Sequence, residues 1–259
     1  MRRGAAQLAP ITLGEVLAVA ELQSRVDRKY LVTPDRFDEF VRACGDTLRV
    51  LEIDGLRDFR YESVYFDTPD LKAYHQSATG RRSKFKVRTR TYVDSATCML
   101  EVKTEGGRGE TVKTRMPYPL EGREALDDEA GEFVDERVHL DGGAGELEPV
   151  LRTRYARQTP VNLAEGSRVT CDARLVCTAP GGQTARMDSH VLIEIKSLGG
   201  ATTADRVLWS MGERPVPISK YCVGMAMVRP HLSANRWNRT LRRYFDWEPE
   251  RAPPVGVGA

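Results

Sequence analysis

Ten residues, RRSKFKVRTR from Arg81 to Arg90, hold six cations and no acid. Side chains alternate faces along a β-strand. Over residues 83–92, Lys84, Lys86, Arg88 and Arg90 therefore share one face, and Phe85, Val87, Thr89 and Thr91 the other. Cations about 6–7 Å apart on one face repel one another. Such a face is commonly solvated; otherwise it needs an anion or an acidic partner across from it. The second case would be polyanion chemistry, with Arg forking onto phosphate and Lys acting as a point charge.

Other segments repeat the pattern. Over residues 97–105, Cys98, Leu100 and Val102 share a face opposite Met99, Glu101, Lys103 and Glu105. Arg25, Asp27 and Lys29 share a face within residues 24–32. Over residues 190–197, Glu194 and Lys196 oppose Val191, Ile193 and Ile195, and their apolar neighbours suggest a central strand. Charges on a central strand are costly to bury unless paired, metal-bound or ligand-bound. One arrangement satisfies all of these strands: an eight-stranded barrel with charged faces inward and apolar faces outward against helices. Its lumen would hold a polyanion, with a carboxylate holding a divalent cation. The alternative, an outer basic face tracking a nucleic-acid backbone, usually interleaves aromatics for base stacking, and the cationic face of residues 83–90 has none.

The elements that would position these residues read as many strands and few helices. Strands are expected at residues 24–32, 60–67, 83–92, 97–104, 110–118, 150–157, 168–177, 184–187 and 190–197. Thr33 as N-cap, Pro34 at the first helical position and Gly45 as the stop frame a helix that presents Phe37, Phe40 and Val41 on one face. Further helices are expected at residues 71–79, ended by Gly80, and at 123–138, 204–211, 221–228 and 235–245. The strands, mostly in consecutive hairpin-like order, suggest an α+β chain built on an antiparallel barrel or sandwich with peripheral helices. An N-terminal helical segment 1–23 would precede the strand-rich domain 24–246, and the tail 247–259 reads as disordered.

Composition sets bounds on this picture. The 259 residues carry 39 Lys+Arg and 37 Asp+Glu, a formal net charge of +2, with 29% charged and 41% hydrophobic residues. That describes a globular chain and argues against a uniformly basic nucleic-acid binder. The balance hides local bias, because residues 121–150 hold eleven acids against Arg123 and Arg137. A positive lumen inside a mixed or acidic exterior is expected. No apolar run reaches membrane-spanning length and the N-terminus does not read as a signal peptide, so a cytoplasmic location is expected. The five scattered cysteines are expected to be reduced thiols, and the four isolated histidines do not suggest a zinc site.

At these residues the sequence resembles the VTC domain (vacuolar transporter chaperone type), the polyphosphate polymerase branch of the triphosphate tunnel metalloenzymes, or CYTH-like superfamily. Matching segments, in family order, are DRKYLV (27–32), SVYFDT (63–68), KFKVRTRTY (84–92), LEVK (100–103), RYAR (154–157), RVTCD (168–172), LIEIK (192–196) and SKY (219–221). The resemblance implies an α+β fold, an eight-stranded antiparallel β tunnel barrel with peripheral helices over the tunnel domain 24–246, whose lumen binds triphosphate or polyphosphate through Lys29, Arg88, Arg90, Lys103, Arg157, Arg168, Lys196 and Lys220. Lys84 and Lys86 would add phosphate contacts at the mouth. Arg88, Arg90, Lys196 and Lys220 would be catalytic. Glu194, with Glu101 as a second acid, would bind Mn²⁺ or Mg²⁺. Tyr65 and Ser219 could donate to phosphate, or serve in core packing and as a helix N-cap. The superfamily's E-x-E-x-K pattern is replaced here by Arg25, Asp27 and Lys29, which fits the polymerase branch better than its hydrolases.

The implied reaction moves the γ-phosphoryl group of ATP onto a polyphosphate chain and releases ADP. Alternatives are tri- or polyphosphate or nucleoside triphosphate hydrolysis, a non-catalytic polyphosphate- or nucleotide-binding module, and an RNA or RNA-5′-triphosphate protein. The last rests on Arg236, Arg239, Arg242 and Arg243, although Trp237, Leu241 and Tyr244 there form the stripe of a docked amphipathic helix, which could also plug one tunnel end. ATP and polyphosphate or triphosphate are the expected partners, with no specific nucleic acid; the regulatory domain and membrane helices of the eukaryotic polymerases are not seen in the sequence, so a membrane partner would be a separate chain.

Overall fold

The computed structural model describes residues 5–20, 26–107 and 111–250. Its elements run β1 (Ala9–Ile11), α1 (Leu13–Ala20), β2 (Val26–Val32), α2 (Pro34–Cys44), β3 (Arg49–Leu51), β4 (Phe59–Asp67) and α3 (Lys72–Thr79). There follow β5 (Lys86–Tyr92), β6 (Thr97–Glu105), β7 (Thr111–Tyr118), α4 (Asp128–Asp135), β8 (Glu148–Gln158), β9 (Pro160–Asn162) and β10 (Ser167–Thr178). The chain continues through β11 (Thr184–Met187), β12 (Val191–Ser197), α5 (Thr203–Ser210), α6 (Lys220–Val228) and α7 (Asn238–Tyr244).

Eight strands pair side by side, all antiparallel, in the order β2-β12-β10-β8-β4-β5-β6-β7. This path is the expected tunnel wall. The strand count exceeds eight because short β1, β3 and β9 extend one corner of the sheet and β11 adds to β10. The segment read as helical before residue 24 thus also contributes a strand, parallel to β3.

The alternation that suggested the barrel is realised in burial. The outward residues Tyr30, Val32, Val169, Cys171, Ile193 and Ile195 pack under α2 and α5 with Phe37, Phe40, Val41, Ala204 and Leu208. On the far wall, Phe85, Val87, Leu100 and Val102 are buried in the cluster that holds Ala130 and Val134 of α4. Thr33 caps α2 by accepting from the Arg36 amide, and Gly45 closes it at φ 49°. Thr202 and Asp205 form a reciprocal capping box on α5.

Local stops shorten two expected helices. Asp127 accepts from the Ala130 amide and starts α4 there, leaving Arg123 in a turn. The helix expected at 235–245 begins at Asn238, with Trp237 and Leu241 buried as its stripe predicts. The chain stays docked past residue 246, since buried Trp247 donates its indole N–H to the Ala226 carbonyl at 2.9 Å. Residues 251–259 of the expected tail and Arg25 lie outside the described residues.

α6 gives the tunnel a floor. Lumen-side positions turn apolar toward one end, at Leu31, Leu192, Leu151, Leu175 and Cys177, and these share one core with Tyr221, Cys222, Val223 and Met225. The helix is apolar on every side, as a fully buried helix should be. Gly224 permits the close approach: a Cβ there would stand 2.8 Å from Leu151 Cδ2 and 2.9 Å from Cys177 Sγ. The last helix is the expected plug for one tunnel end; the helix buried against the lumen-side apolar residues is α6 instead.

Candidate functional site

Strand register decides which charges meet. Directly paired residues share a face, so Arg88↔Glu101↔Arg115 and Lys86↔Lys103↔Lys113 form rows across β5, β6 and β7. On the other wall Lys29↔Glu194↔Thr170 and Asp27↔Lys196↔Arg168 form rows across β2, β12 and β10. The sheet curls enough that Lys103 on β6 feels Glu194, Lys29 and Asp27 on the opposite wall. The cationic faces of separate strands therefore enclose one space.

Three carboxylates organise these cations. Glu101, 2% exposed, receives Arg88 through Nε at 2.9 Å and Nη2 at 2.7 Å, and Lys113 at 2.6 Å. Arg90 lies 3.7 Å from the same carboxylate. Asp172, fully buried, takes a forked pair from Arg157 at 2.6 and 2.8 Å and a further bond from Lys220, the first residue of α6. Glu194 is held more loosely, with Lys29 at 3.2 Å and Lys196 at 3.6 Å.

The field of the lumen shows in its proton affinities. Burial would raise the Glu194 carboxyl, but Lys196, Lys29, Lys220 and Arg157 outweigh it and hold the group well below the carboxylate range. Glu101 is likewise held down by Arg88 and Lys113 against its burial. Burial lowers the Lys103 ammonium to about 8, with Lys86 adding to the effect. Burial also lowers Lys196 to about 8, only partly opposed by Glu194. These amines sit where a small added negative charge recharges them.

All the cations read from sequence as phosphate ligands lie on this face or at its rim. Lys84 falls just before β5 and pairs with Glu105 at the rim. Tyr65 is buried, accepts from Arg88 Nη1 at 2.8 Å and stacks on Tyr221 at 5.1 Å. Ser219 caps α6, accepting from the Cys222 amide. Both hydroxyl-bearing residues thus have packing or capping work. The two carboxylates singled out for metal separate: both Glu101 oxygens are engaged by cations, whereas Glu194 faces the lumen between two lysines.

Sequence reasoning missed several lumen residues. Lys113 and Arg115 follow from the alternation of β7 once its register with Glu101 is known. Asp172 was visible only as the end of a motif, and its pairing with Arg157 and Lys220 joins residues 15 and 48 positions apart. The cationic face also has aromatic neighbours after all: Tyr92 continues it, and register brings Tyr61 and Tyr155 alongside. Tyr61 stacks on Tyr155 at 5.4 Å and 9°. The five cysteines are free and buried.

Among the described residues, no three His, Cys, Asp or Glu side chains gather as a ready-made metal cage. No described helix is long and apolar enough to cross a membrane.

Comparison with known proteins gives distant structural likenesses and one family match. A "putative adenylyl cyclase" from Hippeastrum, described as revealing a dominant triphosphatase activity, aligns at 16% identity over 78% of this chain and 95% of its own, with a TM-score of 0.47. A "putative adenylate cyclase" from Vibrio parahaemolyticus aligns at 15% identity over 73% of this chain and 87% of its own, with a TM-score of 0.41. No curated protein sequence matches the chain. The family model of the VTC domain matches residues 24–229, which span the whole tunnel wall from β2 through β12 together with α6, and the chain belongs to that family.

Proposed function

We propose that the protein is a metal-dependent phosphotransferase of the polyphosphate polymerase type, working inside the lumen. The observation that carries this reading is the convergence of Lys29, Lys103, Lys196, Arg157 and Lys220 around a single loosely held carboxylate, Glu194. So many cations facing one another are costly without an anion between them. A linear phosphate chain matches the need, with charge along its length and oxygens for both forked and point contacts.

In this reading Arg88, Arg90 and Arg157 orient the phosphates, while Lys196 and Lys220 neutralise charge on the transferred group. Arg88 is already fixed by Glu101, and Arg157 by Asp172, so little ordering cost remains at binding. A terminal oxygen of the polyphosphate attacks the γ-phosphorus of ATP. The bond to the β,γ-bridging oxygen breaks, its electron pair stays on that oxygen, and ADP leaves. Such a transfer needs alignment and charge stabilisation more than covalent help from the protein.

The donor set fits a divalent ion that arrives with its substrate. Mg²⁺ is usually held by one or two carboxylates plus substrate phosphates and waters, not by an all-protein cage, and Glu194 with neighbouring Asp27 offers that much. When bound, Mn²⁺ or Mg²⁺ would supply Lewis-acid stabilisation of phosphate charge. Glu101 is assigned charge compensation instead.

The test is incubation of the purified protein with ATP and Mn²⁺, following ADP and polyphosphate, beside Arg88→Ala. Joint appearance of ADP and polymer, reduced at least 10-fold in the variant, is expected from loss of one charge-assisted contact. ADP with free phosphate and no polymer would make the protein a hydrolase. Binding without turnover would make it a binding module, and absence of both would sink the reading.

A further inference from the structure

Tyr155 meets the start of α6, with Lys220 Nζ 4.6 Å from its ring centre; beyond it, on the side away from α6, lie Tyr61 and Tyr92, to which the transfer scheme gives no task. β5 leaves the lumen at Tyr92, β4 has entered it only two residues before Tyr61, and both rings are half-buried. Register places Tyr92 beside Tyr61 and Tyr61 beside Tyr155. Tyr61 lies flat against Tyr155 and 5.1 Å from the tilted Tyr92 ring. The guanidinium of Arg157 sits 5.0 Å from the Tyr61 ring centre, and that of Arg90 5.8 Å.

We propose that Tyr61 and Tyr92 form a stacking shelf for the base of a nucleoside triphosphate, which enters by this mouth with its phosphates leading. The proposal rests on the phosphotransferase reading and names how the donor is recognised. Arg90 and Arg88 follow Tyr92 on the same face at steps of two residues, so Arg88 lies roughly 13 Å deeper along β5. An extended nucleotide stacked at the mouth lays its phosphates over that interval. The phosphates then lie against the arginines, and the far end is directed toward Lys196 and Glu194.

The shelf suits a base for two physical reasons. Tyrosine offers a large flat surface with little side-chain entropy to lose, and Tyr61 is already held by Tyr155. Cations beside an aromatic ring also favour a negatively charged ligand that carries its own π-face. The nearby polar group at the rim, Asp94, is occupied by the Arg60 amide and guanidinium. Recognition by stacking distinguishes a base from no base, and purine from pyrimidine by ring area, but not adenine from guanine.

The test is calorimetric titration of the full chain in Mn²⁺ with ATP, GTP and inorganic tripolyphosphate, for wild type, Tyr92→Leu and Tyr92→Phe. Losing one stacking partner should weaken ATP and GTP about 10-fold in Tyr92→Leu and leave tripolyphosphate unchanged. Tyr92→Phe keeps the ring and should restore nucleotide affinity. Equal weakening of all three ligands would show a merely structural role and overturn the shelf, as would unchanged ATP affinity in Tyr92→Leu. A wild type that binds ATP far more tightly than GTP would overturn it in favour of hydrogen-bond readout. Tripolyphosphate binding in wild type alongside any of these results leaves the lumen reading standing; a wild type that binds none of the three ligands removes both.

Discussion

Glu101 and Glu194 are the same residue type, each on a central stretch of strand, each flanked by a lysine two positions on. The walls around them differ. Glu101 is clamped by Arg88 and Lys113 at hydrogen-bond distance on both oxygens. Glu194 stands between Lys29 and Lys196 at longer range, although Lys220, Arg157 and Lys103 also act on it. The first arrangement uses a carboxylate to hold arginines in place; the second keeps a carboxylate available inside a positive field. A buried charge is not a function in itself, and the distance and number of its partners decide which role it can take.

This contrast can be broken experimentally. Removing one partner of a well-paired buried cluster typically costs 3–5 kcal/mol, so Glu101→Gln should lower stability by about 3 kcal/mol once the partial exposure of Lys113 is discounted. Chemical denaturation reads this directly, and an unchanged midpoint would show that the clamp is weak. Glu194→Gln should do the opposite: turnover with ATP and Mn²⁺ falls on the order of 100-fold while the denaturation midpoint moves far less than in Glu101→Gln. Equal loss of stability in both variants would erase the distinction between the walls.

The pH dependence sharpens the same comparison. Lys103 and Lys196 lose their protons near pH 8 in the ligand-free fold, because burial favours the neutral amine. Anion binding needs the charged form, so tripolyphosphate affinity should be highest below pH 8 and fall as pH rises through it. At pH 9 the loss is about 10-fold for each lysine. Stability of the ligand-free protein should run the other way. The unfolded chain keeps these protons to the ordinary value of 10.5, so these two groups make stability rise with pH between about 8 and 10.5. Flat affinity from pH 7 to 9 would contradict a site built on these lysines. A smaller effect is expected at the floor, where Gly224→Ala must displace Leu151 or Cys177 and should cost about 1–2 kcal/mol by overpacking. A variant as stable as wild type would mean that α6 has room to shift.

Much of the wall was legible before any coordinates. Period-two alternation placed Arg88, Arg90, Lys103, Glu194 and Lys196 on inward faces because one-sided burial forces every second residue to be apolar. Thr33, Pro34 and Gly45 marked the bounds of α2 through local hydrogen bonding and backbone geometry. The short strands β1, β3 and β9 were not legible, since three residues carry no period. α4 read too long because the acids before Asp127 suit a helix as well as a turn, and the cap at Asp127 settles it.

By itself, the sequence determined the charged and apolar faces of the strands, because side-chain alternation is a local property of the extended backbone. It also determined the caps that end α2 and α3. Only the tertiary structure decided that Asp172 fixes Arg157 and Lys220, that Glu101 is clamped while Glu194 is loosely held, and that Tyr61 meets Tyr92 and Tyr155. These pairings depend on register and on the curl of the sheet, which sum interactions across the whole chain and leave no trace in local spacing.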